Sequence, residues 1–197
     1  MKQILISIKP KWVAKILNGE KTIEIRKTMP KCDLPIDVYI YCTKELLYGD
    51  EYLCMESRPI IGKWFELMRF DGKDMFEENE RHRILNGKVV AKFTLNRVDR
   101  YVNGCNVAKK YPTFNDFEKI LTPACIYTDE LENYCEDLSF YAWHISNLEI
   151  FDKPKELSEF ETTKQHLVGV VGQTQPILQN IRLTKAPQSW CYIEVEP

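Results

Sequence analysis

Residues 19–26 read Gly-Glu-Lys-Thr-Ile-Glu-Ile-Arg, and this stretch carries the densest group of polar side chains near the start of the chain. Its second half alternates apolar and polar residues, which predicts a half-buried strand. Glu24 and Arg26 then share one face, and the two isoleucines share the other. A guanidinium two positions from a carboxylate on one face can contact that carboxylate or a bound anion. The polar face is therefore the candidate site.

The residues before this strand predict another strand followed by a helix. Residues 3–8 are apolar and rich in isoleucine, and Pro10, which ends that run, suits the first turn of a helix. Apolar residues recur with helical spacing in residues 11–17, and Asn18-Gly19 provides a stop. We expect a short amphipathic helix there, with Lys21 at the entrance of the next strand.

The rest of the chain predicts more strands than helices. Strands are expected at residues 35–42, 88–101, 139–150 and 190–195, and helices at 114–121, 129–138 and 154–160. This pattern favours an α+β fold, a small mixed β pseudo-barrel with flanking helices, over a βαβ sheet. We predict one domain at residues 1–160 with an insertion at about 44–86. Residues 161–197 are interpreted as a C-terminal extension, largely polar, that packs on the same domain.

Composition and charge limit the function classes. With 197 residues, 44% of them hydrophobic, the chain can bury one core. Its 27 basic and 29 acidic residues exclude a basic surface over the whole chain, so any anion site must be local. Residues 1–31 hold eight basic against two acidic side chains, and residues 114–161 hold twelve acidic against three basic. These runs indicate either two solvated faces or a basic anion-binding end, and the acidic face could dock a protein partner.

Cysteine and histidine spacing gives no sign of a metal site or a cofactor. The seven cysteines lack a CxxC pair, and the three histidines lack HExxH or HxH spacing. We expect reduced cysteines, no metal and no cofactor. His144 is expected to be a core or rim histidine bonded to backbone. The apolar run at residues 4–8 is too short for a signal peptide or a membrane span, so we expect a cytoplasmic protein without membrane contact.

The order Ser7-Ile8-Lys9-Pro10-Lys11, then an apolar helix, then G-x-K-x-x-E-x-R resembles the ASCH domain family. The resemblance continues at residues 38–43, 87–93 and 141–145, and it covers about residues 1–160. It implies a PUA-like pseudo-barrel that binds RNA, or a modified nucleoside or other nucleotide-like ligand, in a cleft formed by the first helix and the G-x-K-x-x-E-x-R strand. Lys21, Glu24 and Arg26 would line this cleft, and Lys9 and Lys11 would stand at its rim.

The chemistry of these residues agrees with that implication. The lysines and Arg26 could contact phosphates, and an aromatic ring could stack on an unpaired base. Glu24 would read a base edge or position Lys21. Two tryptophans are candidates for stacking: Trp12, for which core packing is the favoured interpretation, and Trp143, for which core packing and ligand binding are equally favoured.

A hydrolase is the alternative that the resemblance implies. Some small bacterial members are amidohydrolases that deacetylate N4-acetylcytidine, with the motif lysine activating a threonine, and other members have been reported to cleave RNA. Glu24 occupies the position of that threonine here, and a carboxylate cannot act as the same hydroxyl nucleophile. Glu24 could instead be the base for an attacking water, with Lys21 or Arg26 stabilising the developing negative charge. Lys21 and Glu24 are therefore the candidate catalytic residues.

Overall fold

The computed structural model of the protein describes residues 2–44, 51–58, 62–69, 82–168 and 175–195. The strands in these residues are β1 (Lys2–Ile8), β2 (Ile23–Arg26), β3 (Ile36–Cys42), β4 (Glu51–Arg58), β5 (Gly62–Arg69), β6 (His82–Ile84), β7 (Val89–Val102), β8 (Cys105–Asn106), β9 (Phe140–Lys155), β10 (Glu161–Val168), β11 (Gln175–Arg182) and β12 (Trp190–Glu194). The helices are α1 (Pro10–Leu17), α2 (Glu118–Ala124) and α3 (Thr128–Tyr134), with 3₁₀ turns at Phe114–Phe117 and Leu157–Glu159.

The main sheet runs in the order β11-β10-β12-β1-β3-β7-β9-β2, and β8 pairs with β7. Its pairs are antiparallel except for β1 with β3. Three register shifts interrupt the long β7–β9 pair, and such bulges increase local twist and bend strands. The sheet is mixed and does not close into a barrel within the described residues. The predicted α+β class is confirmed, and its strands form a large mixed sheet with flanking helices.

Side-chain contacts bring the edge strand β2 back to the middle of the sheet. Arg26 Nη2 donates a hydrogen bond to the carbonyl of Ser7 on β1 at 2.8 Å. Beyond β2, the Trp190 indole donates to the Thr28 hydroxyl at 3.0 Å, and the amide of Lys31 donates to the Tyr192 hydroxyl at 2.7 Å. The sheet therefore curves, so that β2 and the loop after it face β1 and β12.

The core has two principal parts that lie on opposite faces of this curved sheet. The larger part packs α1 against the inner side chains of β1, β3, β7 and β9, including Phe93 and Trp143. The second part lies between β2, β9 and the helices α2 and α3, and it includes Ile23, Ile25 and Phe140. Burying one large apolar side chain stabilises a fold by about 1.5–3 kcal/mol, so the second part holds β2 in place through its two isoleucines.

The prediction that β2 is half-buried is wrong, because all four of its residues are buried. Its isoleucines share one buried face, as the alternation predicted, and they pack against α2 and α3. The face of Glu24 and Arg26 is covered by the curved sheet. The pattern shows which residues share a face; it does not show that a second layer covers the polar face.

Part of the predicted C-terminal extension belongs to the main sheet, where β10 pairs antiparallel with β11. Residues 178–180 of β11 are exposed. The strand predicted at residues 190–195 is β12, and it lies between β10 and β1. The helix expected at 154–160 is a 3₁₀ turn at Leu157–Glu159, since β9 continues to Lys155.

Part of the segment predicted as an insertion forms a second sheet. Its three strands run in the order β5-β4-β6. This sheet packs on α1 through Leu53, Met55 and Phe65, and the Asn18 amide donates to the Phe65 carbonyl at 2.9 Å. Residues 45–50, 59–61 and 70–81 of the predicted insertion lie outside the described residues.

Candidate functional site

Pairing between β2 and β9 sets the direction of the candidate side chains. Glu24 lies opposite Trp143, and Ile25 lies opposite Ala142. Residues that are directly opposite in an antiparallel pair share a face. Because Ile25 and Ala142 both belong to the core part beside α2 and α3, Glu24 and Trp143 point to the inner face of the curved sheet.

Lys21, Glu24 and Arg26 come together on this inner face and form what we call the KER cluster. Lys21 Nζ lies 3.4 Å from Glu24 Oε2, and Arg26 Nη2 lies 3.1 Å from Glu24 Oε1. All three side chains are buried. The sequence predicted that these residues lie together, and the structure places one carboxylate between two cations.

Arg26 connects the KER cluster to two other parts of the chain. Besides its bond to the Ser7 carbonyl, Arg26 Nη1 lies 3.4 Å from the Ser189 hydroxyl, just before β12. The Ser7 hydroxyl in turn donates to the Pro187 carbonyl at 2.7 Å. The loop before β12 therefore forms one wall of the cluster.

Lys21 is held by the C-terminal end of α2. Its Nζ donates to the Ala124 carbonyl at 2.6 Å and lies 5.0 Å from the centre of the Trp12 ring. A cation at this end of a helix interacts favourably with the unpaired carbonyls there. This contact fixes the lysine between α1 and α2.

Two buried donors on this face have no hydrogen-bond partner among the described residues. They are Arg26 Nε and the indole nitrogen of Trp143, the residue opposite Glu24. Leaving a buried donor unsatisfied costs about 1–3 kcal/mol. The inner face thus holds two unpaired N–H groups, together with a cluster that carries one more positive than negative charge.

The rim lysines differ from each other. Lys9 is exposed, and its carbonyl accepts the amides of Trp12 and Val13 at the start of α1. Lys11 lies 4.3 Å from the Trp12 ring centre and forms a partly exposed ion pair of 3.1 Å with Glu130 on α3. Lys11 therefore lies near the cluster, because Lys11 and Lys21 both approach the Trp12 ring. Lys9 is not among the residues that form the ion pairs of the KER cluster.

The two tryptophans differ in exposure. Trp143 is fully buried and packs on Trp190 with ring centres 5.9 Å apart, so no face of its ring is open to a base in this structure. Trp12, for which core packing was favoured, is partly exposed and lies between Lys11 and Lys21. Trp12 is therefore the aromatic ring beside the cluster that a base could reach.

Sequence reasoning missed Ser189 and Tyr134. Burial raises the pKa of the Tyr134 hydroxyl, while the charge of Arg26 lowers this pKa and that of Glu24 raises it. Ser189 reaches Arg26 only because β12 pairs with β1. No local pattern around either residue indicates these contacts.

A second polar group lies on the outer face of the sheet, where His144 is opposite Ile23. His144 Nε2 lies 3.0 Å from Asp99 Oδ2, and Arg97 donates two hydrogen bonds to the same carboxylate. The expected backbone partner of His144 is thus replaced by a carboxylate. Burial alone would raise the pKa of Asp99, but hydrogen bonds from Arg97 and His144 hold it below its ordinary value.

This lowered pKa predicts a dependence of stability on pH. Ionised Asp99 stabilises the fold above its unfolded pKa of about 4, and the contribution is lost as the pH falls through the lower folded pKa. Asp99→Asn should therefore destabilise the protein at neutral pH and less so near pH 3, as measured by urea unfolding. Arg97→Gln should likewise destabilise the protein at neutral pH and destabilise it less near pH 3. An equal destabilisation by Asp99→Asn at both pH values would contradict this assignment.

Within the described part of the chain, no three His, Cys, Asp or Glu side chains come together as metal ligands. No helix in the same residues is long and apolar enough to cross a membrane.

No protein-family model matches the chain. No curated protein matches it either. Among solved structures, the chain is similar to the crystal structure of ASCH from Zymomonas mobilis, with 15% sequence identity, a TM-score of 0.47, and coverage of 79% of this chain and 73% of that one.

Proposed function

We propose that this protein binds RNA or a nucleotide-like ligand at the KER cluster, in the cleft between α1 and β2. The observation that carries the proposal is the excess of positive charge in a buried place. Lys21 and Arg26 share one carboxylate, Glu24, among the described residues. Buried charges are normally paired, so a phosphate or another anionic group would complete the cluster.

The unpartnered donors support the same proposal. Arg26 Nε and Trp143 Nε1 are buried and can donate to phosphate or base oxygens. Trp12 would supply a stacking surface at the entrance, and Lys9 and Lys11 would contact phosphates outside it. The contact from Arg26 to Ser189 is long, at 3.4 Å. The loop before β12 is therefore the wall whose displacement would admit a ligand.

The geometry favours binding over hydrolysis. Both oxygens of Glu24 contact a cation, and Lys21 Nζ donates to a main-chain carbonyl. In this arrangement Glu24 positions two cations, and its carboxylate is buried away from the solvent that would supply an attacking water. The protein partner expected on the acidic residues 114–161 stays a prediction; one of these residues, Glu130, pairs with Lys11 inside the chain.

Removing all three charges tests the proposal without leaving a buried charge unpaired. The variant Lys21→Met/Glu24→Gln/Arg26→Met replaces the cluster by neutral side chains of similar size, an exchange that proteins often tolerate. We expect it to bind an eight-nucleotide oligouridylate about 100-fold more weakly, since hydrogen bonds to charged groups contribute about 1.5–3 kcal/mol each. The slope of log affinity against log salt should fall by about 0.7 for each lost phosphate contact.

The matched control is Lys153→Ala, which changes the net charge equally and lies ten residues beyond Trp143, roughly 30 Å along β9. It should keep the wild-type affinity. Fluorescence anisotropy measures binding, and analysis of the same RNA after incubation detects cleavage. Equal affinity of the wild type and the cluster variant would overturn the proposal. Product formation that Glu24→Gln abolishes, under conditions where circular dichroism shows the variant still folded, would favour the hydrolase.

A further inference from the structure

The loop after β8 displays an unusual amount of apolar surface to solvent. Val107, Tyr111 and Phe114 are 49%, 76% and 61% exposed. Isolated exposed apolar residues are ordinary, but several within eight positions mark a surface that meets a partner. Residues 107–114 are called the aromatic loop below.

Internal hydrogen bonds hold this loop in one conformation. The carboxylate of Asp116, which is 2% exposed, accepts the amides of Asn106 and Thr113 at 3.2 and 3.0 Å. It also accepts the Thr113 hydroxyl and pairs with Lys109, while Asn106 Oδ1 accepts the amide of Ala108 at 3.0 Å. The exposed rings are therefore presented on a fixed support, which lowers the entropy cost of binding.

Basic residues accompany the rings in this loop. Lys110 Nζ lies 5.4 Å from the centre of the Tyr111 ring. Lys109 is partly exposed beside Asp116, and the carbonyl of the exposed Arg100 accepts the amide of Val107 at 3.1 Å, where the loop begins. Aromatic rings that stack on bases, next to cations that contact phosphates, are the combination that binds single-stranded RNA.

The loop is connected to the KER cluster by one helix. The 3₁₀ turn at Phe114–Phe117 leads directly into α2, and the Ala124 carbonyl at the other end of α2 accepts Lys21 Nζ. The seven residues of α2 rise about 10 Å. We propose that the aromatic loop is a second contact for single-stranded RNA, reached by nucleotides that extend beyond the one held at the cluster; this inference rests on the proposed function.

Binding of RNAs of two lengths distinguishes the aromatic loop from the KER cluster. The variant Tyr111→Ala/Phe114→Ala should bind an eight-nucleotide oligouridylate about 100-fold more weakly, because two stacks are lost and each contributes about tenfold to the affinity. Its affinity for diuridylate should change less than twofold. Tyr111→Phe keeps the ring and should bind like the wild type. Tyr127→Ala, which removes an equally exposed ring at the start of the acidic α3, is the matched control and should also bind like the wild type.

Both rings are mostly exposed, so the variants should keep the wild-type melting temperature, which confirms folding. If the octanucleotide binds the double variant and the wild type equally, while the cluster variant weakens both RNAs, the loop proposal is overturned and the proposed function stands. Equal losses for both RNA lengths would also overturn the loop as a separate contact. If the wild type binds neither the octanucleotide nor diuridylate, both proposals are overturned.

Discussion

Glu24→Gln is expected to lower the free energy of unfolding by about 3–5 kcal/mol. The substitution keeps the size of the side chain but removes the negative charge that lies between Lys21 and Arg26. Both cations are buried, so water cannot replace the lost carboxylate. The cost therefore comes from two uncompensated buried charges rather than from lost packing.

Denaturant unfolding at neutral pH measures this effect. The control is Glu156→Gln, which breaks the partly exposed pair of Glu156 with Lys88 and should cost no more than about 1 kcal/mol. Oligouridylate should raise the free energy of unfolding of the wild type, because a ligand that binds only the folded state stabilises that state. If Glu24→Gln is no more destabilising than the control, the cluster does not depend on its shared carboxylate.

Trp143→Ala is expected to cost about 3–5 kcal/mol. Trp143 is fully buried in the larger core part, where its ring packs on Trp190. Removal of the indole leaves a cavity beneath the KER cluster that the bulged β7–β9 pair can fill only partly.

Trp143→Phe separates packing from hydrogen bonding at this position. Phenylalanine retains most of the apolar volume and has no N–H, so it also removes a buried donor without a partner. We expect a loss below about 1.5 kcal/mol from this change, together with weaker binding of oligouridylate. Thermal and denaturant unfolding of both variants give the comparison. Equal destabilisation by alanine and phenylalanine would show that ring packing is not what Trp143 contributes.

Local sequence patterns predicted the elements that contain the site. Alternation in β2 placed Glu24 and Arg26 on one face, and the helical spacing before it located α1. These features depend on neighbouring residues, so a single sequence contains them. The order Gly19, Lys21, Glu24, Arg26 was enough to select three side chains that the structure brings into contact.

The parts that failed depend on contacts between distant segments. Burial of the polar face of β2 requires the sheet to curve until Arg26 reaches Ser7 and Ser189. Lys21 meets Ala124 across 103 positions. The position of Trp143 follows from its pairing with Glu24, and that register is invisible in either strand alone. Long-range topology, more than local propensity, decided how the site is covered.

The most direct measurement is an NMR titration of ¹⁵N-labelled protein with eight-nucleotide oligouridylate, in which the side-chain N–H signals are followed. The chain has four tryptophans, and comparison with Trp143→Phe and Arg26→Lys assigns the two signals of interest. We predict that the Arg26 Nε–H and Trp143 indole signals shift together and saturate with the RNA. RNA binding that leaves both signals unchanged would contradict the assignment of the KER cluster as the binding site.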